Sequence, residues 1–137
     1  MPFKVLLVDD HKILRDGIKA ILRAEGDFDV VGESDNGTDA VQMAKKLSPD
    51  VIIMDIGLQG LNGVEATTEI LRHSPDSKVI ILSMYDDEHS VVSAIRGGAR
   101  AFVLKKASDG DLVDALRDRG ESRRAVIHRI HRRDICE

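Results

Sequence analysis

Two four-residue runs, Val51-Ile52-Ile53-Met54 and Val79-Ile80-Ile81-Leu82, contain no polar side chain. A strand with one face in water alternates apolar and polar residues, whereas a continuously apolar strand is covered on both faces. Between the two runs lies a segment with helical periodicity, Val64, Ala66, Thr67, Ile70 and Leu71, ended near Ser74-Pro75. A strand, a helical crossover and a second strand buried on both faces require a parallel sheet with right-handed connections and helices on both sides. That requirement excludes all-helical and all-strand architectures.

The same alternation runs through most of the chain, five times in all. Lys4-Val-Leu-Leu-Val8 reads as a first strand, and Ile13, Gly17, Ile18, Ile21 and Leu22 as the apolar stripe of a helix reaching about Ala24, stopped by Gly26-Asp27. Phe28 to Glu33 is a short second strand, Asp35-Asn36-Gly37 a turn, and Ala40, Val41, Ala44 and Leu47 a second helix ended by Ser48-Pro49. After the runs at 51–54 and 79–82, a fourth helix is predicted over Glu88 to Arg96, closed by Gly97-Gly98, then a strand at 101–104. Ser108 with Asp111 resembles a capping box, leading to a fifth helix carrying Leu112, Val113, Ala115 and Leu116. The sequence holds no internal repeat and no low-complexity segment.

The chain has 137 residues, enough for one domain with a sizeable core. With no Trp, one Tyr and three Phe, that core must be aliphatic. Residues 1–117 carry 14 Lys+Arg and 20 Asp+Glu, a net of −6, which argues against a nucleic-acid surface on the main body. Residues 118–137 carry 6 Arg and 4 acids, a net of +2. This Arg-rich tail breaks the alternation and is too short for a second domain, so the domain is expected to span 1–117. The single Cys136 cannot form an internal disulfide, which fits a reducing cytosol. The first apolar run is too short for a signal peptide, and no stretch approaches the roughly 18 apolar residues of a membrane helix.

Four of the strands end in chemistry. The first runs into Asp9-Asp10, the third into Asp55, the fourth into Ser83 and the fifth into Lys105. In an open α/β sheet these ends share one rim, where ligands bind. A carboxylate can act as a nucleophile toward phosphorus, and Asp55 stands alone at the end of a central buried strand. Asp9 and Asp10 beside it would repel it without a counter-ion, and Mg²⁺, which favours oxygen ligands, removes the difficulty. Lys105 supplies a positive charge and Ser83 a hydrogen-bond donor for phosphoryl oxygens. Asp9 or Asp10 can also cap the helix that follows. His11 reads as a solvated loop residue, with a role near the site as the lesser alternative.

Val8-Asp9-Asp10-His11, Met54-Asp55, Asn62-Gly63, Leu82-Ser83 and Gly98 to Lys105 resemble the receiver domain of bacterial two-component response regulators, most closely the LuxR/NarL/FixJ-type subfamily. The resemblance covers about residues 3–117 and implies a doubly wound (βα)₅ flavodoxin-like fold, its five parallel strands in the order 2-1-3-4-5. It further implies that Asp55 takes a phosphoryl group from a sensor histidine kinase. Asp10 would then ligate Mg²⁺ directly, Asp9 mostly through water, and the Gly57 backbone carbonyl would be a further ligand beside Asp55. Ser83 would be the switch hydroxyl, Lys105 the partner of a phosphoryl oxygen, and Phe102 the aromatic that turns inward on activation. The surface of the fourth helix, fifth strand and fifth helix would be the output and dimerisation face, and DNA would be reached only through a C-terminal domain that this chain lacks. The chain departs from the pattern at Gly57, where many receivers have a side chain that influences the attacking water, at Gln59 in place of Pro, and at Lys106.

On this reading the protein is a cytoplasmic signalling switch rather than a metabolic enzyme, catalysing only its own phosphorylation and dephosphorylation. A haloacid-dehalogenase-type phosphatase also uses an aspartate nucleophile, but requires a second Asp two residues on, where this chain has Gly57. A flavin-binding domain is opposed by the scarcity of aromatics and the acidic rim. A phosphorylation-independent docking receiver is opposed by the intact set of five positions.

Overall fold

The computed structural model of the protein describes residues 3–58, 61–83, 88–104 and 109–117. Five strands alternate with five helices: β1 Phe3–Val8, α1 Lys12–Glu25, β2 Phe28–Ser34, α2 Gly37–Leu47, β3 Val51–Asp55, α3 Gly63–His73, β4 Lys78–Ser83, α4 Glu88–Arg96, β5 Ala101–Leu104 and α5 Asp109–Arg117. All four strand pairings are parallel, and the order is β2-β1-β3-β4-β5. The doubly wound arrangement implied by the sequence is therefore the one observed. Among the described residues, no helix is long and apolar enough to cross a membrane.

The central strands explain why the fold is stable without large aromatics. Every residue of β3 is buried, and so are the last five of β4. Ile52, Ile53, Ile80 and Ile81 are fully enclosed, each contributing roughly 1.5–3 kcal/mol by leaving water. The edge strand β2 is buried only at its two ends. Its pairing with β1 slips at Val5/Leu6, so that Val31 bulges out and the rest of the strand is realigned.

Helix starts are set by two Asn-Gly pairs. Asn36 and Asn62 are the N-caps of α2 and α3, and their side chains accept the amides of Asp39 and Glu65 at 2.8 and 3.0 Å. The glycines that follow are required by packing. A Cβ on Gly37 would lie 2.1 Å from the Leu61 carbonyl oxygen, and one on Gly63 would lie 2.4 Å from the Asp55 carbonyl oxygen. The start of α2 thus presses on the loop before α3, and the start of α3 presses on the end of β3.

Helix α1 corrects part of the sequence expectation. Ile18 and Leu22 are buried and Leu14 packs against the core, but Ile13 is 89% exposed and Gly17 faces solvent. The helix begins at Lys12, and its inward face follows the spacing 14, 18, 22; positions 13 and 17 are rotated from it by about 100°. Neither aspartate is the N-cap either: that position belongs to His11, because the helix starts one residue later than such a cap would require. Ser108, the tail at 118–137 and its expected character lie outside the described residues.

At the far end of the sheet, Arg117 ties α5 to the α1–β2 turn. Its guanidinium donates to Glu25 Oε1 at 2.8 Å and to both Asp27 carboxylate oxygens, and it lies 5.1 Å from the centre of the Phe28 ring. The Arg117 bond holds the Asp27 carboxyl below its ordinary value. Lys78 Nζ donates to the Leu116 carbonyl at 3.1 Å, fastening the same end of α5 to β4.

Candidate functional site

Parallel register decides which side chains meet. Val8 of β1 pairs with Met54 of β3, so Asp9 and Asp55 leave the sheet at the same level on neighbouring strands. Asp55 pairs with Leu82, which sets Ser83 one residue beyond it on the other side. Ser83 in turn pairs with Leu104, the last described residue before Lys105. The strand order reverses between β1 and β3, and the crevice outside the ends of those strands is the usual ligand site of such a sheet.

The carboxylates converge there. One ligand atom from each of Asp9, Asp10, His11 and Asp55 lies within 4.8 Å of the other three. Asp9 and Asp55 are buried, at 0% and 4% exposure, while the Asp10 side chain is one-third exposed. Ser83 is buried beside them. Gly57 donates its amide to Asp55 Oδ1 at 3.1 Å, and a Cβ at that position would lie 3.7 Å from the same oxygen. With glycine there, no side chain stands over the carboxylate at that point.

The donor set fits a divalent cation. Three carboxylates this close, two of them buried, repel one another, and hard oxygen donors suit Mg²⁺. Asp9, Asp10 and Asp55 would hold such an ion; it would neutralise charge on a transferring phosphoryl group.

The structure shows how His11 and Arg15 bear on the carboxylates, and of these Arg15 was not singled out from sequence. His11, read from sequence as a solvated loop residue, is indeed exposed, yet its Nδ1 lies 3.1 Å from Asp9 Oδ1 and 2.9 Å from Asp10 Oδ1, and its backbone amide donates to Asp9 Oδ1 at 2.7 Å. Arg15, one turn into α1, donates through Nη1 to the Asp9 backbone carbonyl and through Nε to Glu33 Oε1 at 3.1 Å. Glu33 also accepts from Lys19 at 2.8 Å, and these bonds, that to Lys19 foremost, hold its carboxyl below the ordinary value. The network fixes the turn that carries Asp9 and Asp10. The i, i+4 spacing of Arg15 and Lys19 was the available signal; their acceptor on β2 was not.

Of the other expected site residues, Phe102 is buried at the centre of β5, with 2% exposure, so its ring is inside in this conformation. Lys105, Lys106 and Gln59 lie outside the described residues.

Comparison with known proteins gives a consistent picture. Residues 5–117 match the family described as the response regulator receiver domain. The chain is 41% identical over 114 residues to the transcriptional regulatory protein LiaR of Bacillus subtilis, covering 83% of this chain and 54% of LiaR. It is 40% identical over 114 residues to the transcriptional regulatory protein DegU of Brevibacillus brevis, covering 83% of this chain and 48% of DegU. The chain thus spans about half the length of the curated relatives it matches. Among solved structures it resembles the receiver domain of the response regulator NarL from Mycobacterium tuberculosis, with a TM-score of 0.80 and 30% identity, covering 84% of this chain and 93% of that one. A LuxR-family DNA-binding response regulator from Staphylococcus aureus aligns with a TM-score of 0.76 and 29% identity, covering 82% of this chain and 93% of that one.

Proposed function

From the premise that this chain belongs to the response regulator receiver family, we propose that it is a phosphorylation-dependent switch in which Asp55 accepts a phosphoryl group from a sensor histidine kinase. The observation that carries this is the buried Asp55 carboxylate at the end of β3, converging within 4.8 Å with Asp9 and Asp10. An Asp55 carboxylate oxygen attacks the phosphorus of a phosphohistidine. The new O–P bond forms as the N–P bond breaks, and the departing imidazole keeps that electron pair and takes a proton from solvent. Asp9, Asp10 and Asp55, with the Gly57 carbonyl as a further donor, would hold Mg²⁺, which when bound would offset the negative charge of the phosphoryl oxygens. Hydrolysis of the aspartyl phosphate by water returns Asp55 and inorganic phosphate. Gly57 itself puts no side chain in that water's approach.

Readout follows from the residues around the acceptor. Ser83, buried one step beyond Asp55 in register, donates to the phosphoryl group, and Lys105 pairs with another of its oxygens. Phosphorylation then biases an equilibrium between two packings of β4, β5 and the helices beside them, with Phe102 inside in the state described here. The face formed by α4, β5 and α5 pairs with a second copy, and the output is transcriptional control in the cytoplasm through a DNA-binding domain outside residues 1–137. Two of the relatives are transcriptional regulatory proteins by name, which supports a regulatory rather than a metabolic role.

The test is direct. Incubated with acetyl phosphate and Mg²⁺, the protein gains the mass of one phosphoryl group by intact mass spectrometry and shifts on a phosphate-affinity gel, and Asp55→Ala does neither. No mass gain, or an equal gain in Asp55→Ala, overturns the assignment.

A further inference from the structure

The cation reading assigns carboxylates and a carbonyl to the ion, but the fourth member of the cluster is an imidazole. We propose that His11 Nδ1 is a ligand of the ion held by Asp9, Asp10 and Asp55, and that it gives this rim a preference for transition-metal dications over Mg²⁺. The inference rests on the cation reading above.

The geometry carries it. His11 Nδ1 lies 3.1 Å from Asp9 Oδ1 and 2.9 Å from Asp10 Oδ1. In an octahedron with bonds of about 2.1 Å, neighbouring donor atoms stand about 3 Å apart. The nitrogen therefore stands from each of the two oxygens at the separation of neighbouring donors on such an ion, which is hydrogen-bond distance while no ion lies between them, and Asp55 offers its oxygen within 4.8 Å of each. The position is also fixed rather than incidental. His11 is the N-cap residue of α1, its amide is tied to Asp9 Oδ1 at 2.7 Å, and Arg15 of the first turn holds the Asp9 carbonyl. As a ligand the ring carries its proton on Nε2 and turns the Nδ1 lone pair toward the ion.

The chemical consequence is selective. Imidazole adds little to the binding of Mg²⁺, which favours oxygen, and much to Mn²⁺, Co²⁺ or Ni²⁺, whose affinity for nitrogen donors rises along that order. Because His11 is two-thirds exposed, its replacement leaves the core untouched.

The test uses the full chain without any phosphoryl donor, comparing wild type, His11→Ala, His11→Asn and Asp10→Asn by calorimetric titration with Mg²⁺ and Co²⁺ and by the visible spectrum of bound Co²⁺. Binding that survives Asp10→Asn belongs to other groups and is subtracted. The expected result is a loss of about tenfold or more in Co²⁺ affinity in both His11 variants, with an altered Co²⁺ spectrum and Mg²⁺ affinity kept within about twofold. Unchanged Co²⁺ affinity, parallel losses for both ions, or tighter binding of both in His11→Ala overturns the proposal, the last outcome meaning that the ring competes for the ion's place. If wild type takes up neither ion, or Asp10→Asn loses none, the cation reading itself fails, and the proposal with it.

Discussion

Gly63 and Gly17 both sit in helices and respond oppositely to the same added methyl group. Gly63 opens α3 against the end of β3. A Cβ there would meet the Asp55 carbonyl oxygen at 2.4 Å, Ile56 Cα at 2.7 Å and the Asp55 carbonyl carbon at 3.1 Å, all backbone atoms with no rotamer to yield. Restoring an ordinary contact of 3.4 Å to that oxygen requires α3 and the end of β3 to part by about 1 Å. Overpacking of this kind costs about 1–3 kcal/mol, or a fall in Tm of about 4–12 °C for a domain this size. Gly17, in the exposed middle of α1, has no heavy atom within 4 Å of an added Cβ and no positive φ. Gly17→Ala should therefore stabilise by about 0.8 kcal/mol through helix propensity alone.

The functional half of the prediction separates position from stability. In Gly63→Ala the Asp55 carboxylate is displaced with its backbone, and a misplacement of about 1 Å at a reacting atom lowers the rate about a hundredfold. The assay is urea denaturation of both variants and of Gly17→Ala/Gly63→Ala, with initial rates of phosphorylation by acetyl phosphate under conditions where each is folded. The double variant should recover part of the stability and none of the rate. A Gly63→Ala protein as stable as wild type and phosphorylated at the wild-type rate would refute the claim that the close approach of α3 sets the place of Asp55.

Asn36→Ala and Asn62→Ala each remove a side-chain cap whose amide bond is 2.8 or 3.0 Å, and each should cost about 1 kcal/mol in thermal or urea unfolding. Asp27, held below its ordinary 3.8 by Arg117, contributes stability that is present above its unfolded pKa and lost as pH falls through the lower folded one. The Tm advantage of wild type over Asp27→Asn should thus be constant at neutral pH and shrink below about pH 4, and a constant gap down to pH 2 would contradict the pairing. Arg15→Lys should weaken Mg²⁺ binding almost as much as Arg15→Ala, because a lysine cannot span the Asp9 carbonyl and Glu33 together; calorimetry showing full rescue by Lys would remove Arg15 from the positioning role.

What could be read from sequence, and what could not, follows from the range of the forces involved. The runs at Val51–Met54 and Val79–Leu82 announce their burial because every side chain in them must leave water, whatever the neighbours are. Asp9, Asp55 and Ser83 are legible for the same reason: each is the first polar residue after such a run, and parallel register then brings them level. Ile13 misled because a helical stripe is defined only to within about one residue until a partner surface fixes its phase; here the partner is the sheet face that takes Leu14, Ile18 and Leu22. The role of Arg15 was hidden for a further reason. Arg15 reaches Glu33 because α1 returns the chain to β2, and β2 pairs with β1 on both sides of a slip at Val5/Leu6. Beyond that slip Leu7 pairs with Glu33 and Val8 with Ser34, which sets the Ser34 carbonyl to accept the Asp9 amide at 3.0 Å. Were Val31 paired regularly with Leu6 instead of bulged, Glu33 would pair with Val8, one step further along β1, and point to the opposite face, away from α1. The bulge in an edge strand, invisible in a pattern of apolar residues, is thus what allows Arg15 to hold the Asp9 carbonyl and, through it, the turn on which His11 meets both carboxylates.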